Sequence, residues 1–499
     1  MILPFSGLLA TIAYASPIIA QNSPVVDLGY TKYLGTNNST LSLNTYFGIK
    51  FAQAPTGSLR WKAPVPVSES QNSSNTSIIN ATTPGASCIQ GFPFWITPSL
   101  PVRPPGSEDC LLLNVIQPSH LISNTSARLP VVVYRLGAYG FLWSDEISED
   151  GASNAALLDQ RLALEWVQRH IEAFGGDPEK VTIWGGSAGG GSVTDQMVMY
   201  GGVEKPPFNA AIAEFPWWQQ FLRKEQLQRQ YGHLLDAANC TDLGCLRELD
   251  EERLAVATQA TYTSGYADGL YGYGNYYYGP YVDGKIIQDL PSREFKKGRF
   301  TKVPMLVDRD MYEGASFTNT SITTTEEEIM DLKVQFPYAD QAFTEKLWEL
   351  YPASGFNSTF WRRSAWFGDA TIHCPTYYIA SSLTPSNLKT YKLIFNAGTQ
   401  VHAATGPFLS EFPSELGHSP AENATIGLFM KDWYASFIVS GDPNVNPWSG
   451  VKKPYWPVYG NEGDVMMVNY TDIGGVNDGA FDRGERCEFW WENGDVAQN

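Results

Sequence analysis

The sequence predicts an α/β fold with a mostly parallel central sheet. Three observations carry the prediction. Residues 129–134 (L-P-V-V-V-Y), 181–184 (V-T-I-W), 303–307 (V-P-M-L-V) and 389–396 (K-T-Y-K-L-I-F-N) are short β-branched and aromatic runs that read as buried strands. Stretches with helical periodicity separate them, the alternation expected of a sheet covered on both faces. No internal repeat and no clear linker interrupts the 499 residues, so the mature chain reads as one large domain.

Residues 1–20 carry no acidic or basic side chain, an apolar run through Leu8, Leu9 and Ile12, and small residues at Ala13, Ala15 and Ala20. They read as a secretory signal peptide cleaved after Ala15 or Ala20, too short to span a membrane, with the domain at 21–499. Secretion agrees with N-x-S/T sequons at Asn37, Asn38, Asn72, Asn75, Asn80, Asn124, Asn239, Asn319, Asn357, Asn423 and Asn469. Six cysteines fit disulfides in an oxidising compartment; nearness in sequence favours Cys88 with Cys110 and Cys240 with Cys245, leaving Cys374 with Cys487. A formal charge of −18 argues against nucleic acid and anionic membranes as partners.

Taken in order, residues 25–66 are strand-like and turn-rich, and 71–83 are polar and read as an exposed loop. The segment 88–110 encloses Phe92, Phe94 and Trp95, either a packed flap or a pocket wall, before 107–115 enters a strand. After 129–134 comes an amphipathic helix at about 156–174, with Leu158, Leu162, Trp166, Val167 and Ile171 at helical spacing. Gly175-Gly176 ends it and Asp177-Pro178 turns the chain into 181–184. Residues 225–251 read as helical with an interruption near Cys240, and 265–284 are rich in Gly and Tyr. Residues 326–351 read as helix broken at Pro337, and 424–440 as another amphipathic helix.

The strand 181–184 ends in Gly185-Gly186-Ser187-Ala188-Gly189, a G-x-S-x-G pattern followed by helical composition. Strand, sharp Gly-rich turn and helix are the setting of an exposed nucleophilic serine. A neutral hydroxyl needs a base within hydrogen-bond reach, and histidine suits that role when a carboxylate fixes its tautomer. Where this setting occurs, the acid and then the histidine follow the serine, each at a strand end. Of the histidines after Ser187, only His402 closely follows a convincing strand; His233, His373 and His418 do not, and His170 precedes the serine. Asp308, Asp310 and Glu313 all follow the strand 303–307, and spacing alone does not separate them.

These residues resemble the type-B carboxylesterase/lipase family, the cholinesterase-like branch of the α/β-hydrolases, and its secreted fungal members above all. F-G-G-D-P-E-K-V-T-I-W-G-G-S-A-G (174–189) resembles the family's serine signature and S-E-D-C-L-L-L-N-V (107–115) its second signature. Residues 46–64, 135–142 (R-L-G-A-Y-G-F-L), 158–168, 279–284, 441–444 and 486–490 are similar as well. The resemblance implies an α/β-hydrolase fold, Ser187 as nucleophile, His402 as base and, as the Glu of a Glu-Gly pair, Glu313 as acid. It also implies the disulfides Cys88–Cys110 and Cys240–Cys245.

The chain departs from the family at Gly186, where Glu is usual, and at Thr405, where Asp is usual. The larger departure is at Tyr134-Arg135. Family members follow this strand with H-G-G-G-F, some tens of residues and another strand before R-L-G-x-x-G-F; here that block, one strand and its crossover, is absent. Of the oxyanion-hole donors only the Ala188 N–H remains assignable, and Gly137 and Gly140 match a different family segment. The expectation is therefore a secreted serine carboxylesterase without cofactor or metal, acting on a small-molecule or lipid ester. The alternatives are a non-catalytic binding protein on the same scaffold, or a mis-joined coding sequence, because both flanks of a clean join match.

Overall fold

The structure is a computed structural model and describes residues 23–68, 78–97, 99–119, 129–386, 388–411, 420–445, 448–460 and 462–499. The signal-peptide reading and the sequons at Asn72, Asn75 and Asn124 lie outside these residues. The strands are β1 (Val25–Asp27), β2 (Lys32–Leu34), β3 (Thr36–Asn38), β4 (Leu43–Lys50), β5 (Ile78–Asn80), β6 (Leu112–Pro118), β7 (Leu129–Val132), β8 (Thr182–Gly186), β9 (Ala210–Glu214), β10 (Met305–Asp310), β11 (Thr390–Asn396), β12 (Asp464–Asn469) and β13 (Ile473–Asn477).

The central sheet runs β13-β12-β11-β10-β9-β8, parallel throughout except for antiparallel β13. The helices Ala155–His170, Ala188–Val198, Cys374–Leu383 and Pro420–Ser440 connect and cover its strands. Every residue of β9 and β10 is buried, as in a sheet covered on both faces. A second, antiparallel sheet runs β3-β4-β6-β7, and β1, β2 and β5 form a small third one.

Three readings from the sequence change. The strand read at 303–307 runs on through Asp310, so Asp308 and Asp310 sit on β10 with no exposure, rather than after the strand. Arg309 sits between them because Asp482 binds its guanidinium at 2.7 and 2.9 Å. The strand β9 has no β-branched run to announce it, since A-A-I-A-E is weak in strand propensity; pairing with β8 and β10 on both sides forms it. The helical stretch 225–251 divides into Lys224–Ala238 and Leu243–Glu248, and Glu251–Ala267 carries helix into the Gly/Tyr-rich region. The break at Pro337 falls between Thr325–Gln335 and Gln341–Leu350, as expected.

The two larger sheets do not join. β7 and β8 are both edge strands, each paired on one side only. Between them lies a mainly apolar slot of about 380 Å³, lined by Val132 and Tyr134 on one side and Ile183 and Trp184 on the other. Trp184, on the edge strand β8, is 37% exposed.

The disulfides are Cys88–Cys110, Cys240–Cys245 and Cys374–Cys487. The last closes a loop of 113 residues and ties the helix Cys374–Leu383 to the helix Glu485–Glu492. Replacing Cys374 and Cys487 by Ala is expected to cost roughly 2–5 kcal/mol, mainly through the freed unfolded chain. A urea midpoint unchanged from the parent would contradict this.

Candidate active site

Ser187 is the turn between β8 and the helix Ala188–Val198, with φ 56° and ψ −121°. This is a positive-φ conformation for a residue with a side chain, held by its neighbours. Its N–H donates to the Glu214 carbonyl at 3.1 Å and its carbonyl accepts the Trp217 N–H at 3.0 Å. Gly185 is required here: a Cβ would lie 2.4 Å from the Gly189 backbone. The other pattern glycine, Gly189, has nothing within 4 Å of such a Cβ, because it opens onto the slot.

His402 follows β11 in a turn, and Glu313 follows β10 at the start of the short helix Glu313–Phe317. With its proton on Nδ1, His402 donates to Glu313 Oε2 at 2.6 Å and accepts the Ser187 hydroxyl at Nε2 at 2.8 Å. Glu313 is fully buried, and its second oxygen accepts the Asp310 N–H at 2.6 Å. The Glu-Gly pair has a steric reason: a Cβ at Gly314 would stand 2.0 Å from the Ser364 carbonyl. The His402 ring packs edge-on against Phe215 and Phe317, at 5.0 and 4.8 Å between centroids. Of the three acids left open by spacing, Glu313 faces the histidine, and Asp308 and Asp310 do not.

Those two acids stand behind it with Glu214. Asp308 accepts the Phe215 N–H at 3.0 Å and the Tyr434 hydroxyl. Glu214 accepts Trp184 Nε1–H at 2.5 Å and the Thr405 hydroxyl at 3.4 Å. Burial pushes Asp308 and Asp310 well above the usual carboxylate range, and pushes Glu214 up to about 7. A raised carboxylate pKa means that the folded state holds the proton more tightly. Its stabilising effect is present on the acid side and is lost as pH rises through the folded pKa. For Glu214 the window is 4.5 to about 7, at roughly 1.4 kcal/mol per pH unit. Melting curves are expected to show Tm falling between pH 4.5 and about 7, with Glu214→Gln free of that part of the fall and so gaining on the parent across the window. Equal pH slopes for the two proteins would refute the assignment.

Beside the Ser187 turn lies a pocket of about 200 Å³, lined by Ala188, Phe141, Trp217, Tyr276 and Tyr278. Trp217 lies 6.5 Å from the His402 ring and packs edge-on against Tyr276. The Gly/Tyr-rich segment divides between core and pocket: Tyr277 and Tyr281 are fully buried, while Tyr276 and Tyr278 line the pocket. Trp95, from the disulfide-bounded segment, packs against Tyr276 and Phe317. The Ala188 N–H is first in its helix and has no intrahelical acceptor. Sequence reasoning missed Glu214, Phe215 and Trp217; the aromatic run F-P-W-W after an unrecognised strand was the available signal.

The remaining histidines have other partners. His373 Nδ1 bonds Asp369 at 2.8 Å, His233 lies between Tyr277 and Asp268, and His170 packs on Tyr30 and Trp166. His120 and His418 lie outside the described residues. Among the sequons, Asn37, Asn38, Asn80, Asn239 and Asn357 are exposed, and Asn319 and Asn469 partly so. Asn423 is 3% exposed, which closes that sequon to a glycan in the folded chain.

Residues 22–134 and 132–490 match the Carboxylesterase family, in two segments that share residues 132–134. Carboxylesterase patB of Penicillium expansum is 27% identical over 565 aligned positions, covering 95% of this chain and 96% of that one. The secreted triacylglycerol lipase LIP1 of Gibberella zeae is 28% identical, with 89% and 87% covered. Among solved structures, EstA of Aspergillus niger superposes with a TM-score of 0.81 at 26% identity, over 96% of this chain and 99% of that one.

Proposed function

Because this chain belongs to the carboxylesterase family, we propose that it is a secreted serine hydrolase that cleaves carboxylic esters through an acyl-enzyme on Ser187. The observation that carries the reading is the unbroken line Ser187–His402–Glu313 at 2.8 and 2.6 Å. Ser187 Oγ attacks the ester carbonyl while His402 Nε2 takes its proton. Glu313 holds the Nδ1 proton and balances the imidazolium. As the tetrahedral intermediate collapses, His402 returns the proton to the leaving alcohol. Water then attacks the acyl-enzyme, with His402 again as base, and releases the acid.

The aromatic pocket beside Ala188 is the acyl or alcohol site. Its volume of about 200 Å³ is below the roughly 300–1,000 Å³ of pockets for drug-sized ligands, so short or aryl esters fit better than long-chain ones. A chain-length series of nitrophenyl esters is expected to give the highest kcat/KM at short acyl groups. A maximum at long chains would reverse this assignment. Secretion agrees with the three disulfides, with relatives named as secreted lipases, and with the lack of any described helix long and apolar enough to cross a membrane.

The slot between β7 and β8 favours a second reading. We infer that a coding segment is lost between Tyr134 and Arg135, so that residues 132–134 stand at once for the end of one family block and the start of the next. Open edges on both strands, open space at Gly189 and an aligned span longer than the chain all support it. A missing segment with oxyanion-hole donors would leave the 499-residue form slower by at least about 10²–10³. Trypsin releases residues 129–135 (L-P-V-V-V-Y-R) from the chain as written. Detecting that peptide in the natively secreted protein would reject the inference; a longer peptide in its place would support it. If the short form is native, folded and without ester turnover, the binding-protein reading stands.

A further inference from the structure

The turn that carries His402 is strained on both sides of the histidine. Gln400 and Ala403 have φ of 62° and 68°, which side-chain-bearing residues keep only where contacts hold them. Those contacts come from the end of β10 and the residues just after it. Tyr312 donates its N–H to the Gln400 carbonyl at 2.9 Å. The Ala404 N–H is shared between the Val401 carbonyl and Asp310 Oδ2, each at 3.0 Å. Asp310 also donates its own N–H to Glu313 Oε1 at 2.6 Å. One residue outside the Ser–His–Glu line therefore touches both the turn of the histidine and the carboxylate it faces.

We propose that Asp310 is a positioning residue for ester hydrolysis: its carboxyl group ties the strained His402 turn to β10, while its backbone sets the Glu313 carboxylate that His402 meets. The inference rests on the catalytic reading above. Asp310 has no exposure, its Oδ1 has no hydrogen-bond partner, and the titratable groups facing it are Glu313, Asp308 and Glu214. Burial raises its pKa, as does the charge of the neighbouring carboxylates. The Asp310 oxygen that accepts the Ala404 N–H is closely copied by an amide oxygen, which makes Asn the conservative replacement and separates positioning from simple core filling.

The test compares Asp310→Ala and Asp310→Asn in the full chain. A displacement of the histidine by a fraction of an ångström to about 1 Å is expected to lower kcat by about 10–100-fold in Asp310→Ala, with KM unchanged. Asp310→Asn is expected to return kcat to within about threefold of the parent. Independently of turnover, the low-field proton NMR signal of the His402–Glu313 hydrogen bond should move or broaden in Asp310→Ala and persist in Asp310→Asn. A folded Asp310→Ala chain with kcat and low-field signal unchanged overturns the proposal, as does an Asp310→Asn chain no better than Ala. If Asp310→Ala does not fold, Asp310→Val removes the same acceptor while keeping strand propensity. A parent chain without ester turnover or Ser187 labelling would refute the catalytic reading instead, and the NMR comparison would still decide the role of Asp310.

Discussion

Ser187→Ala is expected to lower kcat for a short nitrophenyl ester by about 10⁴–10⁶-fold and to abolish labelling by a fluorophosphonate probe. The size follows from the chemistry. The acyl-enzyme route exists only through the serine oxygen, and His402 and Glu313 have nothing to activate once it is gone. The substitution itself costs little in fold stability. Ser187 is held through its backbone, by Glu214 and Trp217, and its hydroxyl bonds only His402 among the described residues. Circular dichroism of the variant should therefore match the parent while activity is lost. Labelling that survives the substitution would place the nucleophile elsewhere.

Glu313→Gln is expected to cost about 10⁴-fold in kcat at neutral pH, with KM little changed. Both oxygens of Glu313 accept hydrogen bonds, from the Asp310 N–H and from His402. Glutamine has one acceptor and one donor to offer these two donors. If its oxygen stays with Asp310, its NH2 faces His402 and forces the imidazole proton onto Nε2. That tautomer has no free nitrogen for the serine proton. If the amide turns the other way, its NH2 meets the buried Asp310 N–H head-on. Steady-state kinetics with a kcat within tenfold of the parent would refute the role of Glu313.

The features legible in the sequence are those built from neighbouring residues. The turn at Ser187, the helix that precedes its strand and the break at Pro337 are local patterns of glycine, proline and periodicity. The strand β9 was not legible, because A-A-I-A-E is strand only by virtue of its partners β8 and β10. The end of β10 was not legible either, because Asp308-Arg309-Asp310 has no hydrophobic signature. It is stable because Asp482, Tyr434 and the backbones of Phe215 and Ala404 meet each charged or polar group.

By itself the sequence determined the fold class, the Gly-rich turn at Ser187 and the order in which Glu313 and His402 follow it. The strand runs and the Gly-rich turn are written in residues close together along the chain, where backbone preference and spacing act directly, and the order of acid and base is read from the succession of strand ends. The tertiary structure decided which of three acids meets His402, how Asp310 and Glu214 grip its turn, and that β7 and β8 face each other across an open slot. His402 lies 89 residues from Glu313 and 215 from Ser187 in sequence. Distances of that kind depend on strand order and register, which are settled only when the whole sheet is assembled and buried.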